Sequence, residues 1–181
     1  MTIGKKLPED IIFHVRLRDE SIGGDNPYKW EEITTSDYFN NKRILLFSLP
    51  GAFTPTCSTY QLPGFDKHYD VIKEHGIDEI YCVSVNDSFV MNKWAQDQKI
   101  KNVKVIADGS GLFTNYMNML VLKDNLSFGK RSWRYAAIIN NGIVEELWEE
   151  PGKMDNCPDD PYGETSPEKI LKDIKSNSIN A

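Results

Sequence analysis

The stretch from Arg43 to Cys57 limits the folds open to this chain more than any other segment. Its first part, Arg43-Ile44-Leu45-Leu46-Phe47-Ser48-Leu49, is a short apolar run rich in β-formers and reads as a buried strand. Pro50-Gly51 and Pro55 then force the backbone through a tight turn. Thr54 reads as a helix N-cap, with Pro55 at the first helical position, where proline is favoured. Cys57 therefore falls in the first turn of a helix. Unpaired backbone N–H groups and the positive end of the helix dipole face its sulfur there and favour a thiolate near neutral pH. A free cysteine is ordinarily a small buried hydrophobe. This setting points instead to an activated thiol, without naming a reaction.

The rest of the chain supplies elements around that unit. Ile11 to Leu17 and Tyr28 to Thr34 read as strands joined by a turn-rich link, together an N-terminal β-hairpin. Thr35-Ser36-Asp37 offers a cap for one short helical turn. The helix carrying Cys57 is expected from about Pro55 to Glu74, with Phe65, Tyr69 and Ile72 facing the core and a kink or break at Pro63-Gly64. Glu79 to Val85 and Val103 to Ala107 read as strands on either side of a helix capped by Asn86, with Val90 and Trp94 in the core. Gly109-Ser110-Gly111 turns into a short helix reaching about Met119. Arg134 to Asn140 and Ile143 to Glu149 form a hairpin around Asn141-Gly142, and Ser166-Pro167-Glu168 starts the last helix. This order is that of an α/β, thioredoxin-like fold, a central mixed sheet with helices on both faces. With 181 residues, 40% of them hydrophobic, and no repeats or long linkers, a single domain over 1–181 is expected.

Charge and cysteine usage narrow the function. A net charge of −6 argues against nucleic acid or an anionic membrane as a partner. No segment has the roughly 20 apolar residues that span a bilayer, and no apolar signal region opens the chain. Three cysteines without C-x-x-C spacing make no disulfide framework, so a reducing, cytoplasmic location is expected. No metal site is expected: His68 and His75 lie about 10 Å apart along a helix, and His14 is isolated on a strand. No Gly-rich phosphate loop is present, so no bound cofactor is implied. Glu145, Glu146, Glu149 and Glu150 read as a solvated face of the hairpin.

The spacing P-x-x-x-T-x-x-C, formed here by Pro50, Thr54 and Cys57, resembles the active-site signature of the peroxiredoxins. The fuller string P-G-A-F-T-P-T-C-S, with L-P-G-F from Leu62, is similar to the type-5 (atypical) subfamily. The likeness continues through C-V-S-V-N-D-S-F-V-M from Cys82, A-D-G-S-G from Ala107 and F-G-K-R-S-W-R-Y from Phe128, covering about residues 4 to 175. It implies a thiol-dependent peroxidase acting on hydrogen peroxide and organic hydroperoxides. The sulfenic acid formed on Cys57 would be recycled by glutathione with glutaredoxin, or by thioredoxin.

Residue chemistry and resemblance agree on roles. Cys57 is the nucleophile, and Thr54 bridges thiolate and peroxide through its hydroxyl. Pro50 shields the site from bulk water. Gly51 and Thr56 belong to the substrate-binding turn, with the N–H groups of Thr56 and Cys57 as a small oxyanion hole. Arg134 begins an apolar strand, where a guanidinium needs a polar or anionic partner. The type-5 pattern R-x-x-R implies that Arg134 approaches the sulfur, with Arg131 in support or at a subunit contact. Cys82, in mid-strand, reads as inert packing. Cys157, in a polar and exposed-looking loop, is either a resolving cysteine or a bystander. Many type-5 members have histidine four residues after the reactive cysteine, where this chain has Gln61. Type-5 relatives are often dimers packed near the active-site loop, and Phe53 is compatible either with that or with burial inside one subunit. A redox-sensing binding protein using the same cysteine is the alternative function. A disulfide reductase is disfavoured by the missing C-x-x-C.

Overall fold

In the computed structural model, which describes residues 2–179, a five-stranded sheet is ordered β5-β4-β3-β8-β9. Its central strand β3 (Arg43–Ser48) is the apolar run singled out above, and Ile44 through Ser48 are all buried. Strands β4 (Glu79–Ser84) and β5 (Lys104–Ala107) add to it in parallel. The Asn141-Gly142 hairpin, β8 (Tyr135–Asn140) and β9 (Ile143–Glu149), adds antiparallel on the other side. Parallel neighbours require crossovers. Helices α2 (Leu62–Lys67) and α3 (Tyr69–Lys73) connect β3 to β4, and α4 (Ser88–Asp97) connects β4 to β5.

Two apolar clusters lie on the two faces of this sheet. One gathers Phe65 and Ile72 of the β3–β4 crossover, Met91 and Trp94 of α4, and Ile170, Leu171 and Ile174 of α6 (Pro167–Ile179). The other gathers Phe39 of α1 (Thr35–Phe39), Phe113 and Met117 from α5 (Leu112–Tyr116) and its end, and Phe13 of the N-terminal hairpin. That hairpin pairs β1 (Ile12–Arg18) with β2 (Tyr28–Thr34) as a separate two-stranded sheet.

Several details differ from expectation. The cap of α1 is Thr34, one residue earlier, in a reciprocal box with Asp37. Asp87 rather than Asn86 caps α4, accepting from the Val90 amide at 3.0 Å. The break expected at Pro63-Gly64 is displaced, since both residues sit inside α2 near its start. The irregularity lies just before them, where Cys57–Gln61 form a π turn closed by the Leu62 amide on the Cys57 carbonyl, and again at His68 between α2 and α3. Pro63 has no N–H to continue the α ladder, and a wider turn ahead of it accommodates the loss. A short pair of strands, β6 (Leu120–Leu122) and β7 (Lys130–Ser132), is also present.

Candidate active site

Strand register brings the site together. Ser48 at the end of β3 lies opposite Tyr135 at the start of β8. Arg134, one residue earlier, therefore sits beside the turn that leaves β3 at Leu49. The turn itself is pinned by Asn86, whose Oδ1 accepts from the Ala52 amide at 3.0 Å and from the Ser84 hydroxyl at 2.7 Å. Phe53 takes a left-handed backbone, φ 63°, and its ring is 52% exposed. Helical structure begins at Pro55, and its first bond runs from the Ser58 amide to the Thr54 carbonyl at 3.0 Å. The N–H groups of Thr56 and Cys57 thus precede the first bonded amide, as the oxyanion hole requires. Thr54 occupies the cap position by its backbone only. Its hydroxyl does not cap the helix but donates to the Gly51 carbonyl at 2.7 Å, which leaves its oxygen lone pairs available.

Cys57 is fully buried, and Nη1 of Arg134 lies 3.5 Å from its Sγ. Arg134 is itself only 1% exposed, so every donor on its guanidinium matters. Nη1 also donates to Oε1 of Gln61, Nη2 pairs with Asp160 at 2.6 Å, and Nε donates to the Pro161 carbonyl at 3.2 Å. The Tyr162 ring faces the guanidinium at 5.5 Å. Burial works against the charge of Arg134, but Cys57 and Asp160 outweigh it and shift the arginine's pKa upward. Burial also raises the Tyr162 phenol to about 12, which keeps it neutral.

Arg131 lies against Gly51 of the turn. Nη1 of Arg131 would lie 2.7 Å from a Cβ placed on Gly51, so a side chain there would push the end of the arginine aside. Burial lowers its pKa, and the nearby Cys57 opposes that shift. Arg134 thus touches the sulfur, and Arg131 feels its charge from beside Gly51.

Gln61 has a definite place. Its Nε2 donates to Thr165 Oγ1 at 3.4 Å, and that hydroxyl donates to Oε1 of Glu150 at 2.9 Å. The same carboxylate oxygen accepts from the amides of Gly163 and Thr165 at 2.8 and 2.9 Å. Glu150 is buried, which corrects the expectation of a solvated acidic face for that residue. The chain Arg134–Gln61–Thr165–Glu150 carries the arginine's orientation to a carboxylate held by backbone.

Cys157 also departs from expectation. It is buried, 7% exposed, and what surface it keeps lines a cavity beside the active-site turn. The polar neighbours that made the loop look solvated fasten it down instead. Asp155 accepts from the Leu122 amide at 2.7 Å, the Asn156 amide donates to the Leu122 carbonyl at 2.8 Å, and Asn125 donates to the Cys157 carbonyl at 3.3 Å. Its side chain packs in the cluster opposite the one that holds Cys57. Cys82 is buried as expected, and burial first, then the Cys57 charge, pushes its thiol well above the usual range. All three cysteines are free thiols. Among the described residues, no group of three or more His, Cys, Asp or Glu is placed to hold a metal.

Asp160, Tyr162 and Thr165 were not singled out in the sequence, and Glu150 was read only as part of a solvated face. Only the need of a buried guanidinium for an anion hinted at them.

A Redoxin family model matches residues 27–161. A peroxiredoxin of Rhizobium etli is 62% identical over 176 residues, 97% of this chain and 98% of that one. The chain belongs to the peroxiredoxins, thiol-dependent peroxidases. A hybrid peroxiredoxin of Haemophilus influenzae is 47% identical over 169 residues, 93% of this chain and 64% of that protein. Among solved peroxiredoxin structures, the one-cysteine antioxidant protein of Plasmodium falciparum superposes with a TM-score of 0.88 at 40% identity, covering 96% of this chain and 99% of that one.

Proposed function

We propose that Cys57 is the peroxidatic residue and that it reduces hydrogen peroxide and organic hydroperoxides. The observation that carries this reading is the buried Arg134 guanidinium 3.5 Å from the Cys57 sulfur. The thiolate attacks the nearer peroxide oxygen, the S–O bond forms as the O–O bond breaks, and the departing oxygen leaves as hydroxide or alkoxide that takes up a proton. Arg134 and the amides of Thr56 and Cys57 receive the charge that grows on the peroxide oxygens. Thr54 bridges the reactants, Pro50 keeps out bulk water, and Gly51 lets Arg131 approach. No prosthetic group takes part, because sulfur supplies both electrons and an outside thiol restores them.

We read the enzyme as a one-cysteine peroxidase recycled by glutathione with glutaredoxin, or by thioredoxin, in a reducing cytoplasm. Support comes from the burial of Cys157 in the opposite cluster and from the likeness to the one-cysteine Plasmodium protein. A homodimer packed near the active-site turn belongs to the same reading. Its support is the exposed Phe53 ring and the exposed Trp30–Phe89 pair, whose ring centroids are 5.6 Å apart.

Stopped-flow peroxide consumption with intact mass spectrometry tests the assignment. Cys57→Ser is expected to be inactive, and Arg134→Met slowed roughly 100-fold or more. One equivalent of peroxide should leave a sulfenic acid, not an internal disulfide, in wild type and in Cys157→Ser alike. Full activity in Cys57→Ser refutes the assignment. Sustained turnover with a thiol reductant distinguishes the enzyme from a sensor that reacts once.

A further inference from the structure

A cavity of about 230 Å³ opens beside the active-site turn, lined by Pro50, Thr54, Leu126, Phe128, Cys157 and Lys123 among others. Its exposed walls are mostly apolar, and Lys123 is the one cation among them, with Asp159 and Asp160 at its border. The lysine side chain is 3% exposed. Its backbone is fixed where it stands: the carbonyl accepts from the amides of Leu126 and Phe128, both at 3.1 Å, and the amide donates to Gly129 at 2.9 Å. No hydrogen bond or ion pair reaches its Nζ among the described residues. Its contact is the face of the Trp133 ring, 5.8 Å away.

A lysine enclosed to this degree normally ends on a carboxylate, because an ammonium with little water around it and no anion is poorly compensated. The cation–π contact with Trp133 offsets part of that cost, not most of it. Two carboxylates border the same cavity, and neither serves. Asp160 is held by Arg134 at 2.6 Å, and the exposed Asp159 forms no ion pair with the lysine. The cavity thus joins a wall of the reaction site, through Pro50 and Thr54, to an ammonium that lacks its anion.

We propose that Lys123 seats the carboxylate of an anionic organic hydroperoxide, with the apolar stem against Leu126 and Phe128 and the peroxide group toward Thr54 and Cys57. This rests on Cys57 being the reacting sulfur. The covalent step is unchanged: S–O forms, O–O breaks, and the carboxylate is a spectator that fixes the substrate.

The test compares cumene hydroperoxide carrying a para-carboxylate with its methyl ester, each rate divided by the same variant's rate with hydrogen peroxide. Wild type is expected to favour the carboxylate. Lys123→Met should lower the carboxylate-to-ester ratio about tenfold, the loss of one charged contact, and Lys123→Arg should restore it. Lys123→Gln serves if the methionine variant does not fold. A wild-type ratio that does not favour the carboxylate overturns the proposal without any variant. So does an unchanged ratio in Lys123→Met, or a rise confined to the KM for glutathione, which would assign the lysine to the reductant. Failure of the Cys57 assignment looks different, since Cys57→Ser would then still consume hydrogen peroxide.

Discussion

Gln61 shows how one side chain decides whether another can act. Arg134 is an asset only in the orientation that brings Nη1 to the sulfur, and a buried arginine loses that orientation if a donor goes unmet. The Gln61 amide holds both ends: oxygen toward the guanidinium, nitrogen toward Thr165 and the buried Glu150. Gln61→Met keeps the volume and removes both bonds. It is expected to slow peroxide reduction roughly tenfold. Thr165→Val should move the rate the same way and Thr165→Ser should not, an order that stopped-flow kinetics can check. The strand, turn and helix start that place Cys57 were legible in the sequence because turn chemistry is local, although the Thr54 hydroxyl bonds Gly51 and not the helix. Arg134 stood out as a guanidinium at the head of an apolar strand, and the R-x-x-R resemblance chose it over Arg131. Asp160 and Glu150 were not legible, since each acquires its role from a segment far off in the chain. Cys157 misled because Asp155 and Asn156 bond to backbone here, and not to water.

At the scale of elements, the long β-strands and their order follow from apolar runs and turn residues, and the Asn141-Gly142 hairpin falls where expected. The three-residue strands β6 and β7 carry no period of their own and arise only through mutual pairing. The π turn at Cys57–Gln61 belongs to the same class, because its cause is a proline two residues beyond its end. What fixes this irregular helix to the sheet is Phe65, which is fully buried and stacks on Phe47 of β3 with centroids 4.0 Å apart. Phe65→Ala should cost about 3–5 kcal/mol of stability by denaturant unfolding. It should also slow peroxide reduction, because the helix that carries Cys57 loses its main anchor.

For the whole molecule, the C-terminal helix closes the face that shelters Cys57, and part of its hold is electrostatic. Asp173 accepts from Trp148 Nε1 at 2.9 Å and pairs with Lys169 at 2.5 Å. Lys169 holds the Asp173 carboxyl below the usual carboxylate range, although some burial opposes this. A depressed folded value means that the stabilisation is complete above the unfolded value, about 3.9, and is lost as pH falls through the folded one. Asp173→Asn should therefore melt lower than wild type near pH 6, with the gap shrinking toward pH 2, as thermal scans across that range can follow.

Phe53 has a bearing on how this protein meets others. A bulky residue in left-handed backbone works against its own Cβ, and glycine would sit there with less effort. The strain leaves a ring facing water within four residues of the reactive sulfur. Any body that covers this ring therefore rests on the same turn that positions Cys57, so company and chemistry at this site share one short segment.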